Sequence, residues 1–504
     1  MVNYENPIIP GFHPDPSICR AGNDYFLVNS SFEFFPGIPL FHSRDLIHWK
    51  QLGYVLTRRS QADLSDENSS KGIWAPTIRV HDGRFYVSAT NMSHGGNFFV
   101  YTDDIYGEWS DPIWVKQGGI DASLYFDDDG QVYFSSTYDM PGSQAIGQSR
   151  IDIQTGKLLT ETKVIWHGSG GKYPEGPHMY KKDGWYYLLA AEGGTEYGHM
   201  ITIARGYSPW GPFESCPDNP ILTHRDTMLD QFQAVGHGDI IETQEGDWWI
   251  VFHGIRTTQY MFHHLGRETM ISPMEWTEEG WPVINKGKII TPQMSAVKLP
   301  GDSISEPGKR ENTDSIGQEQ MLWNFIKNPD PSSYDILKNK RHLLGTDVTL
   351  NDAGSPTFIG RRQEHFYICA EVKIECRPQK EEEYAGITVY HTNEHHYDFG
   401  LIRHEGKYSL MLRKHAGDME TRELFILPGY DGECVLRVES DKLEYRFLAG
   451  IDGKHMKCFG RGRTQMISSE CMVMTFTGCY IGIFAEKGAK AVFEILEYTG
   501  NDSC

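Results

Sequence analysis

Gly83-Arg84-Phe85-Tyr86-Val87, a turn glycine feeding a short aromatic and β-branched run, has four counterparts in the first 290 residues. They are Asp24-Tyr25-Phe26-Leu27-Val28, Gly130-Gln131-Val132-Tyr133-Phe134, Gly184-Trp185-Tyr186-Tyr187-Leu188 and Gly246-Asp247-Trp248-Trp249-Ile250, at intervals of roughly 47 to 63 residues. Such runs, bounded by Gly, Asp and Asn, read as strands. Helical periodicity is almost absent, and the interval matches a four-stranded propeller blade. A second segment lies ten or eleven residues ahead of each strand: Asp15-Pro16-Ser17-Ile18, Trp74-Ala75-Pro76-Thr77-Ile78, Asp121-Ala122-Ser123-Leu124, Glu175-Gly176-Pro177-His178-Met179 and His237-Gly238-Asp239-Ile240. Every segment between residues 12 and 290 is used by this count, so four or six blades fit worse. The expected fold is all-β, opening with a five-bladed β-propeller.

In a propeller the innermost strands line a central channel. Equivalent positions then converge on one axis, and here they are Asp15, Trp74, Asp121, Glu175 and His237. Any one of these carboxylates could be an ordinary turn cap. Three of them in register, with a Trp and a His, is a poor choice for an apolar core, because burying carboxylates together is costly unless they are used.

The second half reads differently. Pro300-Gly301-Asp302-Ser303 and Ser305-Glu306-Pro307-Gly308 lead into a polar charged run, as linkers do. Eight short strands follow, from His365–Cys376 to Ala491–Tyr498, which suggests a β-sandwich of jelly-roll or lectin-like form. The expected division is a propeller over 1–300, a linker over 301–325 and a sandwich over 326–504. The sandwich carries no obvious catalytic constellation, so bracing the propeller or closing its site is the better expectation.

The totals narrow the partners. The 504 residues carry a formal net charge of -21. That excludes nucleic acid and anionic membrane surfaces as expected partners, since nothing supplies counterion release. A neutral sugar fits, and aromatic residues at 12% supply stacking faces. No apolar window is long enough to span a membrane, and no secretory leader is visible. Nine cysteines without metal-type spacing read as reduced thiols of a cytoplasmic protein. A homo-oligomer is left open.

At this point a family resemblance enters. Asn6-Pro-Ile-Ile-Pro-Gly-Phe-His-Pro-Asp15-Pro-Ser-Ile with Phe32-Glu-Phe-Phe-Pro-Gly37 resembles the opening of family 43 glycoside hydrolases, in their β-xylosidase and α-L-arabinofuranosidase branch. Ile73-Trp74-Ala-Pro, Ile120-Asp121-Ala-Ser-Leu, Pro174-Glu175-Gly-Pro-His and Gly236-His237-Gly-Asp resemble its later blocks. Ala122 departs from the proline of many members. The resemblance implies an inverting exo-glycosidase that trims xylose or arabinose from xylan or arabinoxylan oligosaccharides. Asp15 matches the general base, Glu175 the general acid, and Asp121 the carboxylate that raises and orients the acid. Inversion chemistry agrees: one carboxylate activates water while another protonates the leaving oxygen from the opposite face.

Phe32 and Trp74 are expected as pocket walls, with ordinary core packing as the bland alternative. The resemblance implies that Arg267 reaches hydroxyls of the terminal sugar, the alternative being a surface salt bridge. Phe476 is a candidate for a sandwich residue reaching over the pocket. The chemistry itself needs no cofactor. His237 is the metal candidate, because members often hold a structural Ca2+ beside a histidine here, mostly through waters; yet calcium prefers oxygen ligands. Asp127-Asp128-Asp129-Gly130 lacks the spacing of a calcium loop and reads as a hairpin turn. Adjacent His263-His264 and His395-His396 point to opposite strand faces, so neither pair is a ready metal site. Two rival functions remain: a retaining fructosidase-like propeller enzyme, whose signature blocks are missing, and a sugar-binding protein without activity.

Overall fold

The computed structural model describes all residues except 66–67, 228–230, 302–320, 451–454 and 503–504. The regular structure of the described residues is strand, with a few single-turn helices. The first half holds five four-stranded antiparallel sheets, each formed in chain order from the inside outward, the fourth with one extra short strand. Their first strands are Ser17–Ala21, Ile73–His81, Ser123–Phe126, Glu175–Lys182 and Phe232–Glu242. Each touches the next, and the last touches the first, so the sheets close into a ring. Val2–Glu5 pairs with Gln293–Ala296 and ties the two ends of this half together.

The register shows how the chain presents polar groups at the axis. Ile18, Ile78, Leu124, Met179 and Ile240 pair with Leu27, Val87, Phe134, Leu188 and Ile250 in the five second strands. Three residues before each lie Asp15, Ala75, Asp121, Gly176 and His237. All five are left-handed, with φ of 53°, 33°, 59°, 56° and 45°. Non-glycine residues adopt this region rarely, and such residues cluster at functional sites. The expected equivalence of Trp74 and Glu175 with Asp15, Asp121 and His237 is therefore corrected: both stand one position earlier. Pairing breaks at this level in the second, fourth and fifth sheets, between Trp74 and Thr77, Glu175 and His178, and Gly236 and Asp239, so Ala75, Gly176 and His237 are the matching residues. At Gly176 a side chain is doubly excluded, by the positive φ and because a Cβ would lie 2.8 Å from His237 Nε2.

The second half packs two sheets face to face. One is the six-stranded sheet in the order Thr357–Arg362, Tyr480–Glu486, Tyr384–Thr392, His395–His404, Lys407–Ala416, Met419–Ile426. The other is built around Tyr367–Cys376 and Glu433–Ser440. Tyr367–Cys376 alternates buried with less buried positions, as a strand with one wet face must. Tyr384–Thr392 is buried throughout, because both faces of its sheet are covered. Ala385, Ile387 and Val389 enter the core between the sheets. Tyr384 and Tyr390, on the opposite face, join Phe358, Tyr480 and Phe484 in a cluster with Phe12, Phe32 and Phe34 of the first half. The Phe34 and Tyr480 rings stack at 3.9 Å between centroids.

Of the stretch expected as linker, residues 302–320 lie outside the described residues. The end of that stretch already belongs to the seam. Trp323 and Asn324 are buried. Asn324 and Gly360 exchange backbone hydrogen bonds, and Phe325–Ile326 pairs with Phe34–Phe35. Their apolar side chains and backbone groups find partners there that a solvated linker would not offer.

Candidate active site

The axial ends of the five first strands open into one cavity of about 690 Å³. Asp15, Phe32, Trp74, Asp121, Glu175, His237, Arg267 and Phe476 all line it. Side chains drawn from both halves of the chain thus meet in a space sized for a small ligand.

Asp15 is fixed from several directions. Arg267 donates to Oδ1 at 2.5 Å, and the Ser30 hydroxyl donates to Oδ2 at 2.6 Å. The Asp15 N–H donates to His253 Nδ1 at 3.0 Å. Burial works against its charge, but the Arg267 guanidinium, with His237 adding to it, outweighs that and holds the carboxyl well below its usual range. Arg267 thus forms a buried ion pair with Asp15, and its other nitrogen donates to the Phe476 carbonyl at 3.3 Å.

Glu175 is the opposite case. Burial first, then the charges of Asp121 and Asp15, push its pKa well above the ordinary value, with Arg267 opposing. Its buried Oε1 has no protein partner among the described residues. Burial also pushes Asp121 up to about 6, with Asp15 adding to the shift and His237 and Arg267 opposing it. Asp121 accepts the N–H of Gly176 at 3.0 Å, so it touches the residue that follows Glu175. One carboxyl is pushed toward the ionised form and another toward the protonated form within a single cavity, the separation that acid–base chemistry requires.

An aromatic wall faces these groups. Phe32 and Phe476 stack at 6.0 Å, and Trp74 meets Phe476 edge-on at 5.2 Å. Ser70 ties the wall together: its carbonyl accepts the Trp74 indole N–H at 2.9 Å, and its hydroxyl accepts the Phe476 N–H at 3.1 Å. Ser70 N–H in turn donates to the buried Glu33 at 3.0 Å. Burial pushes Glu33 up to about 7.

The side chains do not fit a calcium cage at His237. Among the described residues no group of three or more His, Cys, Asp or Glu side chains is placed to hold a metal. Asp239, two residues on, is already occupied. Arg79 donates to it at 2.7 Å, and Tyr180 and Ser17 donate at 2.5 and 2.6 Å. Arg79 also meets His178, so one guanidinium from the second sheet reaches the first, fourth and fifth. Asp127 to Gly130 forms the expected turn, closed by Gly130 N–H to the Asp127 carbonyl.

Several lining residues were not anticipated from the sequence. Tyr173 carried a usable signal, standing two residues before Glu175. His263, Glu470 and Met474 carried none. His263 Nδ1 pairs with Glu470 of the sandwich at 2.6 Å, and Tyr197 donates to the same carboxylate at 2.9 Å. That bridge across the rim joins three segments separated in the chain.

Both halves of the chain resemble known proteins. Residues 4–282 match the model of glycosyl hydrolases family 43, and residues 317–499 match the β-xylosidase C-terminal concanavalin A-like domain. The chain is 38% identical to a non-reducing end α-L-arabinofuranosidase of Bacteroides ovatus, over 97% of this chain and 92% of that protein. It is 34% identical to a xylosidase/arabinosidase of Butyrivibrio fibrisolvens, over 99% of both. The solved xylan β-1,4-xylosidase of Bacillus halodurans superposes with a TM-score of 0.90 at 32% identity, covering 98% of this chain and all of that one. By sequence and by architecture, the chain belongs to glycoside hydrolase family 43.

Proposed function

We propose that the chain is an inverting exo-glycosidase that releases a terminal xylose or arabinose from xylan- or arabinoxylan-derived oligosaccharides. The carrying observation is the trio of carboxylates from three sheets in one cavity, where Arg267 lowers the Asp15 pKa and burial raises that of Glu175. Asp15 takes a proton from the attacking water. Glu175 gives its proton to the leaving oxygen. Asp121 fixes the backbone beside the acid, and its charge helps keep the acid's proton on. Both proton transfers come from side chains, so no step calls for a cofactor.

The sandwich supports the exo reading. Thr475 and Phe476 wall the cavity opposite the propeller, which favours a pocket for a chain end over an open groove. The relatives are named for both pentoses, and the two sugars can present similar hydroxyl geometry to one pocket. We place β-D-xyloside first. The eight described cysteines form no disulfide, which supports a reducing compartment such as the cytoplasm. Among the described residues no helix is long and apolar enough to cross a membrane.

The test follows hydrolysis of xylobiose by proton NMR, alongside kcat/KM on the nitrophenyl β-D-xyloside and α-L-arabinofuranoside. The first sugar released from the non-reducing end should be α-xylose, with the xyloside the faster substrate. Release of β-xylose would instead favour a retaining, fructosidase-like mechanism, and no turnover of either pentoside would leave a binding protein.

The pH profile is a second check. Activity should fall on the alkaline side as Glu175 loses its proton. Asp121→Asn removes a negative neighbour, so the acid's pKa drops and that alkaline limb moves to lower pH. A limb that stays in place would show that Asp121 does not tune the acid.

A further inference from the structure

The segment Gly168–Pro174, which leads directly into Glu175, is anchored at one buried point outside the acid–base trio. Glu192 ends the strand Trp185–Glu192 and is fully buried. Its Oε1 accepts the Ser169 N–H at 2.7 Å and the Thr202 hydroxyl at 2.7 Å. Its Oε2 accepts the Gly171 N–H at 2.7 Å. The residue that follows it, Gly193, donates its N–H to the Lys172 carbonyl at 2.7 Å. A Cβ at Gly171 would lie 2.7 Å from Glu192 Oε2 and 2.3 Å from Cε of Met200 on the next strand, so the clamp closes on a glycine. Just beyond Glu192, residues Gly194 to Tyr197 line the cavity, as do Tyr173 on the anchored segment and Glu175 directly after it. A buried carboxylate held by two backbone N–H groups and a hydroxyl is a strong, directional clamp. Its loss would release both backbone N–H groups, at Ser169 and Gly171, from the one buried side chain that holds them.

We propose that Glu192 is a positioning residue for the proton donor: it clamps the segment that aims Glu175 at the leaving oxygen, and joins it to the second loop of the same pocket wall. Only Lys172, Tyr173 and Pro174 separate the clamped Gly171 from Glu175. A displacement of about 1 Å at a reacting group costs on the order of 10²-fold in rate. Glu192 itself touches no reacting atom, so it acts through the segment it holds, which runs directly into Glu175. The inference rests on the reading of Glu175 as the acid.

The test compares Glu192→Gln with the parent on xylobiose, whose leaving sugar needs a proton, and on dinitrophenyl β-D-xyloside, whose leaving group does not. Gln keeps the size but puts an NH2 where a carboxylate oxygen accepts. We expect kcat on xylobiose to fall by about 10- to 100-fold, kcat on the aryl substrate to stay close to the parent, and the alkaline limb of the xylobiose profile to move. Thr202→Val, which removes the hydroxyl alone, should give the same selective loss in milder form, and it answers the question if the Gln variant does not fold. Equal losses on both substrates, or a change confined to KM, would overturn the positioning role. A parent inactive on both substrates would instead sink the functional reading on which the inference rests.

Discussion

Asp15→Asn should lower kcat by on the order of 10³-fold on xylobiose and on activated aryl xylosides alike. The two losses match because the base acts on water, and water activation is needed whatever group departs. This distinguishes Asp15 from Glu192 and Glu175, whose removal should weigh most on poor leaving groups. The substitution also removes the charge opposite Arg267, at two positions that are only 4% and 6% exposed. Breaking a buried pair from one side typically costs about 3–5 kcal/mol, so a lower Tm should accompany the loss of rate. Steady-state kinetics with calorimetry separates the effects: folded Asp15→Asn protein that keeps a tenth of the parent rate would remove Asp15 from the mechanism.

Cutting the chain after residue 300 should abolish activity altogether. The cut exposes Phe12 and Phe34, both fully buried, and removes Phe476 from the wall that Phe32 and Trp74 share with it. Each large apolar side chain buried at the seam contributes about 1.5–3 kcal/mol, and a patch of such rings left bare promotes association. The Ser70 node would keep Trp74 and lose Phe476, and the Arg267 guanidinium would lose its carbonyl acceptor. Expression of residues 1–300, followed by size-exclusion chromatography and assay on the nitrophenyl xyloside, checks this. A soluble monomer with parent-like kcat/KM would show that the sandwich is dispensable to the pocket.

The two expectations have a common origin in the seam. The six-stranded sheet sends Tyr384, Tyr390, Tyr480 and Phe484 toward the propeller, and the same apolar cluster runs on into the wall of the cavity. Glu33 lies between them, next in sequence to Phe32 and hydrogen-bonded to Ser70. Stability of the two-domain contact and the shape of the sugar site are therefore set by one set of side chains.

Local chemistry made much of this legible. Strands were readable because aromatic and β-branched runs between turn residues leave the backbone few alternatives, and the spacing of five such runs set the ring of sheets. Asp15, Asp121 and Glu175 stood out because carboxylates recur just ahead of core strands, where burial would otherwise be unfavourable. Equivalence of Trp74 and Glu175 with the others was misread by one residue, because the matching positions, Ala75 and Gly176, carry no polar side chain to mark them. Other features were set by distance in three dimensions alone. Arg267 lies 252 positions from Asp15 yet donates to its carboxylate. Arg79 crosses the channel to Asp239, His263 meets Glu470 at the rim, and Glu192 clamps a loop 21 residues away. A hydrogen bond or an ion pair acts over about 3 Å, while the sequence orders residues along the chain, so such partners become neighbours only once the strands close around the axis.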